Sequence, residues 1–241
     1  MSRFSRRLQA SSRHTTPTQP SYAVPVGGPS GITWQAPDFE DNFDGTSLNT
    51  NKWASSWFNG GSMNNVTTSP ANVAVSGGNL ILTLASVSSG ALVNTNPDDA
   101  AGTPYEFTTG YAEARINFPG NGTDVYNWPA WWVTGQNHPE TGENDIAEGL
   151  GTMTVNYHST SGAHNQGTVP GVWTNAFHTY ALHRKVGSCD VYYDGNLVKS
   201  YSTEDGEAPH YLIFNVGQSG SRTKVYGTGS RVLVDYVRVW V

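Results

Sequence analysis

"GYAEARINFPG", residues 110–120, alternates strictly. Ala112, Ala114, Ile116 and Phe118 fall on one face of an extended chain, and Tyr111, Glu113, Arg115 and Asn117 on the other. A helix would scatter both sets around its axis, so the stretch reads as a strand with an apolar face toward a core. Its second face is polar and aromatic, which suits a groove for sugars, and Glu113 and Arg115 become candidate ligands there. The same period recurs elsewhere. Leu80, Leu82 and Leu84 share a face in "GNLILTLAS" (78–86), and "RVLVDYVRVWV" (231–241) alternates to its end. "CDVYYDGNLVKSY" (189–201) reads as a hairpin, with Asp194 and Gly195 supplying the positive φ angles of its turn. No amphipathic helical stretch of useful length interrupts these runs. An all-β sandwich of two antiparallel sheets follows.

Composition agrees with that class. The 241 residues include 27 Gly and 13 Pro, which favours turns, while charged residues make up only 13%. Arg3, Arg6, Arg7 and Arg13 lie in an opening stretch without acids, leaving 9 basic against 19 acidic residues for the rest of the chain. Such a surface repels phosphate backbones, so nucleic acid is excluded as a partner and a neutral ligand is favoured. No run approaches the length of a membrane helix. Cys189 is the single cysteine, so no internal disulfide forms. Residues 1–31 are rich in Ser, Thr, Pro and Gly and read as a disordered leader or tether, with the folded domain spanning 32–241. The early arginines are followed by neither a continuous apolar segment nor a clear cleavage site, so no signal peptide is evident.

The chemistry concentrates in "TGENDIAEGLG" (141–151), where Glu143, Asp145 and Glu148 crowd into six positions. On a strand, Glu143 and Asp145 share a face, but simple alternation sends Glu148 to the other. One extra residue near Ala147, a β-bulge, would return it. Three carboxyls at close quarters cannot all ionise freely, and at least one is pushed to hold its proton. A proton donor beside an ionised carboxylate is what retaining glycoside hydrolysis uses. A solvated acidic turn or a calcium loop would use acids differently, and Ile146 with Ala147 interrupts the oxygen ligands that calcium needs.

The ordered set of motifs resembles glycoside hydrolase family 16, the laminarinase and lichenase group. "ENDIAE" (143–148) matches that family's E-x-D-x-x-E, and "WPAWW" (128–132) its W-P-A-x-W. "DNFDGTSLNTNKW" (41–53), "GYAEARI" (110–116), "FHTYAL" (177–182), "DGNLV" (194–198) and "VDYVRVW" (234–240) follow the same order. The resemblance implies a concanavalin A-like β-jelly roll with Glu143 as nucleophile, Glu148 as general acid/base and Asp145 tuning the pair. It implies sugar stacking on Trp128 and Trp132 and contacts from His158, Trp173 and Asn215. Catalysis needs no cofactor, and a structural calcium ion would use Asp235.

Two positions depart from that pattern. Asn144 stands where an aliphatic residue points into the core, and a buried amide must find partners or cost about 1–3 kcal/mol. Asn42 replaces an acid in "DNF", removing one oxygen charge from the calcium site. The implied substrate is a neutral β-linked polysaccharide, foremost a β-1,3-glucan, with mixed-linkage β-1,3-1,4-glucan or a galactan such as agarose as alternatives. A non-catalytic carbohydrate-binding jelly roll would not need the acid trio. The chain is expected outside the cell or on a particle, as a monomer or tethered to a larger assembly by its N-terminal segment. The loops at 57–66 and 94–106 are expected to shape the subsites.

Overall fold

The computed structural model describes residues 25, 27–56, 62–63, 65–99, 102–218 and 222–241. The strands run in chain order from β1 (Phe39–Asp41), β2 (Ser62–Met63) and β3 (Val66–Thr68) to β4 (Val73–Ser76), β5 (Asn79–Leu82) and β6 (Ser89–Asn94). Next come β7 (Glu106–Phe107), β8 (Gly110–Asn117), β9 (Trp128–Thr134), β10 (Glu143–Leu150), β11 (Thr152–Ser159) and β12 (Gly162–Thr168). The chain finishes with β13 (His178–Lys185), β14 (Ser188–Tyr193), β15 (Asn196–Ser202), β16 (His210–Gly217) and β17 (Val232–Trp240). Among the described residues there are two short 3₁₀ turns and no α-helix.

Two sheets stack face to face as a jelly-roll sandwich. The first has eight strands in the order β15-β14-β13-β8-β17-β5-β4, with β1 beside β17; the second has nine, β12-β11-β10-β9-β16-β6-β3-β2, with β7 beside β16. All pairings between these strands are antiparallel except β3 with β6. Alternation explains the core. Ala112, Ala114, Ile116 and Phe118 point inward from the first sheet, and Trp131, Val133, Leu212, Phe214 and Val216 inward from the second. Trp131 stacks on Phe214 at 5.8 Å between ring centres. The hairpin at Asp194-Gly195 forms with φ angles of 46° and 75°, as its sequence requires.

The polar face of β8 is not a groove. β8 lies in the first sheet, and its outer face looks away from the second sheet, where the acid trio sits. Glu113 accepts a hydrogen bond from the Tyr236 hydroxyl at 2.9 Å. Arg115 pairs with Asp235 at 2.6 Å and covers the Phe177 ring at 4.6 Å. The sequence showed which residues share a face, but not which side of the sandwich that face would occupy. Asp235 is likewise committed to a guanidinium, and it is absent from the one metal-ligating group found among the described residues.

The aromatic part of that outer face has a different use. Trp34 sets its edge against Tyr111 and Trp240, each at 5.3 Å, with Ile32 packed alongside. Trp240 Nε1 donates to the Gln35 carbonyl at 3.0 Å. Of the expected leader, residues 1–24 and 26 lie outside the described residues. Gly27 sits so close to the 194–195 turn that a Cβ there would come within 1.9 Å of the Gly195 carbonyl oxygen. Trp34→Ala removes the ring that caps Tyr111 and Trp240, and should lower unfolding stability by about 2 kcal/mol in chemical denaturation. Activity at 25 °C should be unchanged.

Candidate active site

The site is built on the outer face of the second sheet by β9, β10, β11 and β16. β10 opposes β9 in register until Asp145 pairs with Trp132, after which Ala147 pairs with Trp131. On the other side Asp145 pairs with Asn156, and the next partner is Glu148 with Thr154. The bulge expected near Ala147 is therefore present. Its consequence is visible in the core, where Ile146 and Ala147, neighbours in sequence, both point inward. Glu148 thereby returns to the face of Glu143 and Asp145.

The bulge is held from across the sandwich. The Tyr193 hydroxyl, on β14 of the first sheet, donates to the Ile146 carbonyl at 2.8 Å. That carbonyl lies where the ladder slips, so the tyrosine satisfies a polar group that would otherwise be buried alone. Just beyond, Gly149 lets β10 pass Val125 and Pro129; a Cβ would lie 2.5 Å and 2.8 Å from their side chains.

The resulting groove encloses about 340 Å³, lined by Trp128, Trp132, Glu143, Asp145, Glu148 and His158, with Asn156, Asn165 and Asn215 among the others. Trp128 and Trp132 share its floor because they are four residues apart on one strand, while Trp131 between them enters the core. Trp132 Nε1 donates to Asn215 Oδ1 at 2.8 Å. Asn215 Nδ2 makes no hydrogen bond. Both oxygens of Glu148 accept hydrogen bonds, from Trp128 Nε1 at 2.6 Å and from Asn156 Nδ2 at 2.5 Å. His158, opposite Glu143 on β11, brings Nε2 to 3.3 Å from Asp145 Oδ2 and 3.7 Å from Glu143 Oε1. On the loop before β10, His138 Nε2 approaches Glu143 Oε2 at 3.5 Å.

Burial, with Asp145 beside it, pushes the Glu143 carboxyl up to about 8, against a smaller opposite effect of His158. Burial and the Glu148 charge hold Asp145 well above the usual carboxylate range. Crowding thus raises the Glu143–Asp145 pair, which retains the proton.

Asn144 has the polar surroundings its burial demands. Its Oδ1 accepts from the Tyr201 hydroxyl at 2.9 Å, and its Nδ2 lies 3.4 Å from His210 Nδ1. The other His210 nitrogen meets the Thr141 carbonyl at 2.5 Å, so a neutral imidazole with Nε2 protonated satisfies both contacts. Burial and the nearby Arg184 push His210 down to about 3, consistent with that neutral form. Arg184 and Asp205 form a buried pair beside it at 2.9 Å. This layer anchors the chain entering β10. At Gly142, with φ of 72°, a Cβ would lie 2.7 Å from Asp205 Cβ.

Trp173 is not in the groove. The turn after β12 carries it to the rim of the core, where Nε1 donates to the Val169 carbonyl at 3.0 Å and its ring meets Tyr193 edge-on at 5.0 Å. Asn156, Asn165 and His138 were missed. Asn156 was within reach of sequence reasoning, since it precedes His158 by two positions on the same strand and must share its face. Asn165 reaches the groove only through strand pairing, and His138 reaches Glu143 only through loop folding.

A family model described as "XgeA-like, catalytic GH16 domain" matches residues 118–206, the segment that carries β9 to β15. The match bears out the family 16 resemblance over the strands that hold the acid trio. No match is found among curated proteins. Solved structures share the fold. One is the catalytic domain of an endo-1,3-beta-glucanase (laminarinase) from Thermotoga petrophila RKU-1, 23% identical with a TM-score of 0.71, covering 87% of this chain and 98% of that one. A second is an endo-beta-1,3-glucanase from Pyrococcus furiosus, 23% identical with a TM-score of 0.71, covering 88% and 95%. A laminarinase from Flavobacterium sp. UMI-01 is 23% identical with a TM-score of 0.69, covering 85% and 100%.

Tyr193→Phe leaves the Ile146 carbonyl without its donor. It should cost about 1–3 kcal/mol in unfolding stability and lower kcat more than it raises KM, because the bulge sets where Glu148 stands.

Proposed function

We propose, with the family 16 match across the site-bearing strands as premise, that this chain is a retaining endo-glycosidase acting on a neutral β-linked polysaccharide. The observation that carries this is the bulge in β10, which gathers Glu143, Asp145 and Glu148 on one face of an aromatic groove. In the first step the Glu143 carboxylate attacks the anomeric carbon while Glu148 protonates the departing glycosidic oxygen. In the second, Glu148 removes a proton from water, which attacks the same carbon and releases Glu143, so configuration is retained overall. Glu143 must be ionised to attack. Burial and the neighbouring Asp145 oppose that ionisation. Substrate binding favours an ionised Glu143, because positive charge develops at the anomeric carbon beside it.

The substrate reading rests on the lining. Two tryptophans offer flat apolar surface to pyranose rings, and Asn156, Asn165 and Asn215 offer uncharged hydrogen-bonding groups. Among the described residues no lysine or arginine lines the groove, which favours an unsulfated polymer. β-1,3-glucan is the first choice, because the similar solved structures are named as endo-1,3-beta-glucanases and laminarinases. Mixed-linkage glucan and galactan are the alternatives. Glu113, Arg115 and Trp173 are not part of the reading, since the fold places them elsewhere. The chain would meet its polymer outside the cell or on a particle, as a monomer or with the N-terminal segment as tether. No helix of the described residues is long and apolar enough to cross a membrane.

Product sizes from laminarin, lichenan and agarose test the assignment; short oligosaccharides should come first and fastest from laminarin. Equal inertness toward all three would overturn it. Glu148→Ala should lose about 10²–10⁴-fold in activity, with azide giving a glycosyl azide of retained configuration. Glu143→Ala with azide should give the inverted one. For pH, an acid raised to about 8 must lose its proton before attack, so kcat/KM should rise with pH toward that value. Asp145→Asn removes the neighbouring charge and should move this limb to lower pH.

A further inference from the structure

We propose that Glu143, Asp145 and His158 form a binding site for a borderline divalent transition ion such as Zn²⁺, and that its occupation switches the groove off. One carboxylate oxygen from each acid and a ring nitrogen of His158 lie within 4.8 Å of one another. His158 Nε2 stands 3.3 Å from Asp145 Oδ2 and 3.7 Å from Glu143 Oε1. Those separations are long for N–H···O hydrogen bonds, which cluster near 2.9–3.0 Å. They are close to the edge of a tetrahedron around zinc, where bonds of about 2.0–2.2 Å put neighbouring ligand atoms about 3.3–3.6 Å apart. A second observation points the same way. Asp145 Oδ2 is buried against its neighbours and makes no hydrogen bond, although it lies among the ligand atoms. A buried carboxylate oxygen without a donor is costly unless something else meets it.

The donor set selects the ion. One imidazole and two carboxylates suit zinc and its first-row neighbours, whereas calcium takes six to eight oxygens and magnesium an octahedron of them. Three protein ligands leave a fourth position open to the groove for water. The strand pairing supplies the geometry, because Glu143 and His158 are direct partners across β10 and β11, with Asp145 two residues on. Inhibition rests on the reading of Glu143 as the nucleophile: an ion on Glu143 Oε1 occupies the lone pairs that would attack the sugar. Binding does not rest on it.

The test uses the full chain without an affinity tag. Co²⁺ should bind one equivalent and give the visible absorption of a low-coordinate nitrogen and oxygen site, and Zn²⁺ but not Mg²⁺ or Ca²⁺ should displace it. Zn²⁺ titration calorimetry of His158→Gln and Asp145→Asn, each checked for folding by circular dichroism, should show at least tenfold weaker binding. In the wild-type chain, paramagnetic Co²⁺ should shift the His158 imidazole resonances. Zn²⁺ should inhibit competitively with polysaccharide and be reversed by EDTA. Absence of stoichiometric binding, variants that bind as tightly as wild type, or shifts confined to other histidines would each overturn the site. If no polysaccharide is cut, the spectroscopic and calorimetric arms still decide the metal site, so the two readings fail separately.

Discussion

The slip of one residue in β10 between Asp145 and Glu148 is the constraint on which the site depends. A strand offers its side chains to alternate faces, and no regular strand can present positions 143, 145 and 148 together. Turning both Ile146 and Ala147 inward solves this, at the cost of a carbonyl that the ladder cannot satisfy. Tyr193 meets that carbonyl from the opposite sheet, so the arrangement of the acids is maintained through the core. The groove and the sandwich are thus one mechanical unit.

A second polar layer lies beneath the entry to β10. Asn144, His210, Tyr201, Arg184 and Asp205 occupy space where an aliphatic contact would suffice for burial alone. Each contact is directional, and together they fix the turn at Gly142 that delivers Glu143. Apolar packing tolerates sliding, whereas a chain of hydrogen bonds in a low dielectric does not. The departure at position 144 therefore stiffens the strand that bears all three acids.

Much of this was legible beforehand, for reasons that are local. Alternation at 110–118 and 231–241 identified strands because the period of two is a property of a single segment. The bulge could be inferred from three acids whose spacing defeats alternation, and the buried amide of Asn144 announced that partners must exist. What failed had a common cause. Glu113 and Arg115 were sorted onto one face of β8, but a face has no sign until the sheets stack. Trp173 was expected to contact sugar, whereas the turn at 169–173 carries it back to the rim of the core.

By itself, then, the sequence determined the strand-forming segments, the need for a bulge at 146–147 and the crowding of the acids, since each follows from residues adjacent along the chain. Only the tertiary structure decided which outer face holds the groove, that Tyr193 locks the bulge, that His210 and Tyr201 answer Asn144, and that His158 Nε2 lies 3.3 Å from Asp145 and 3.7 Å from Glu143. These are contacts between residues 13 to 66 positions apart, or set by pairing register, and no local pattern encodes which distant partner will close them.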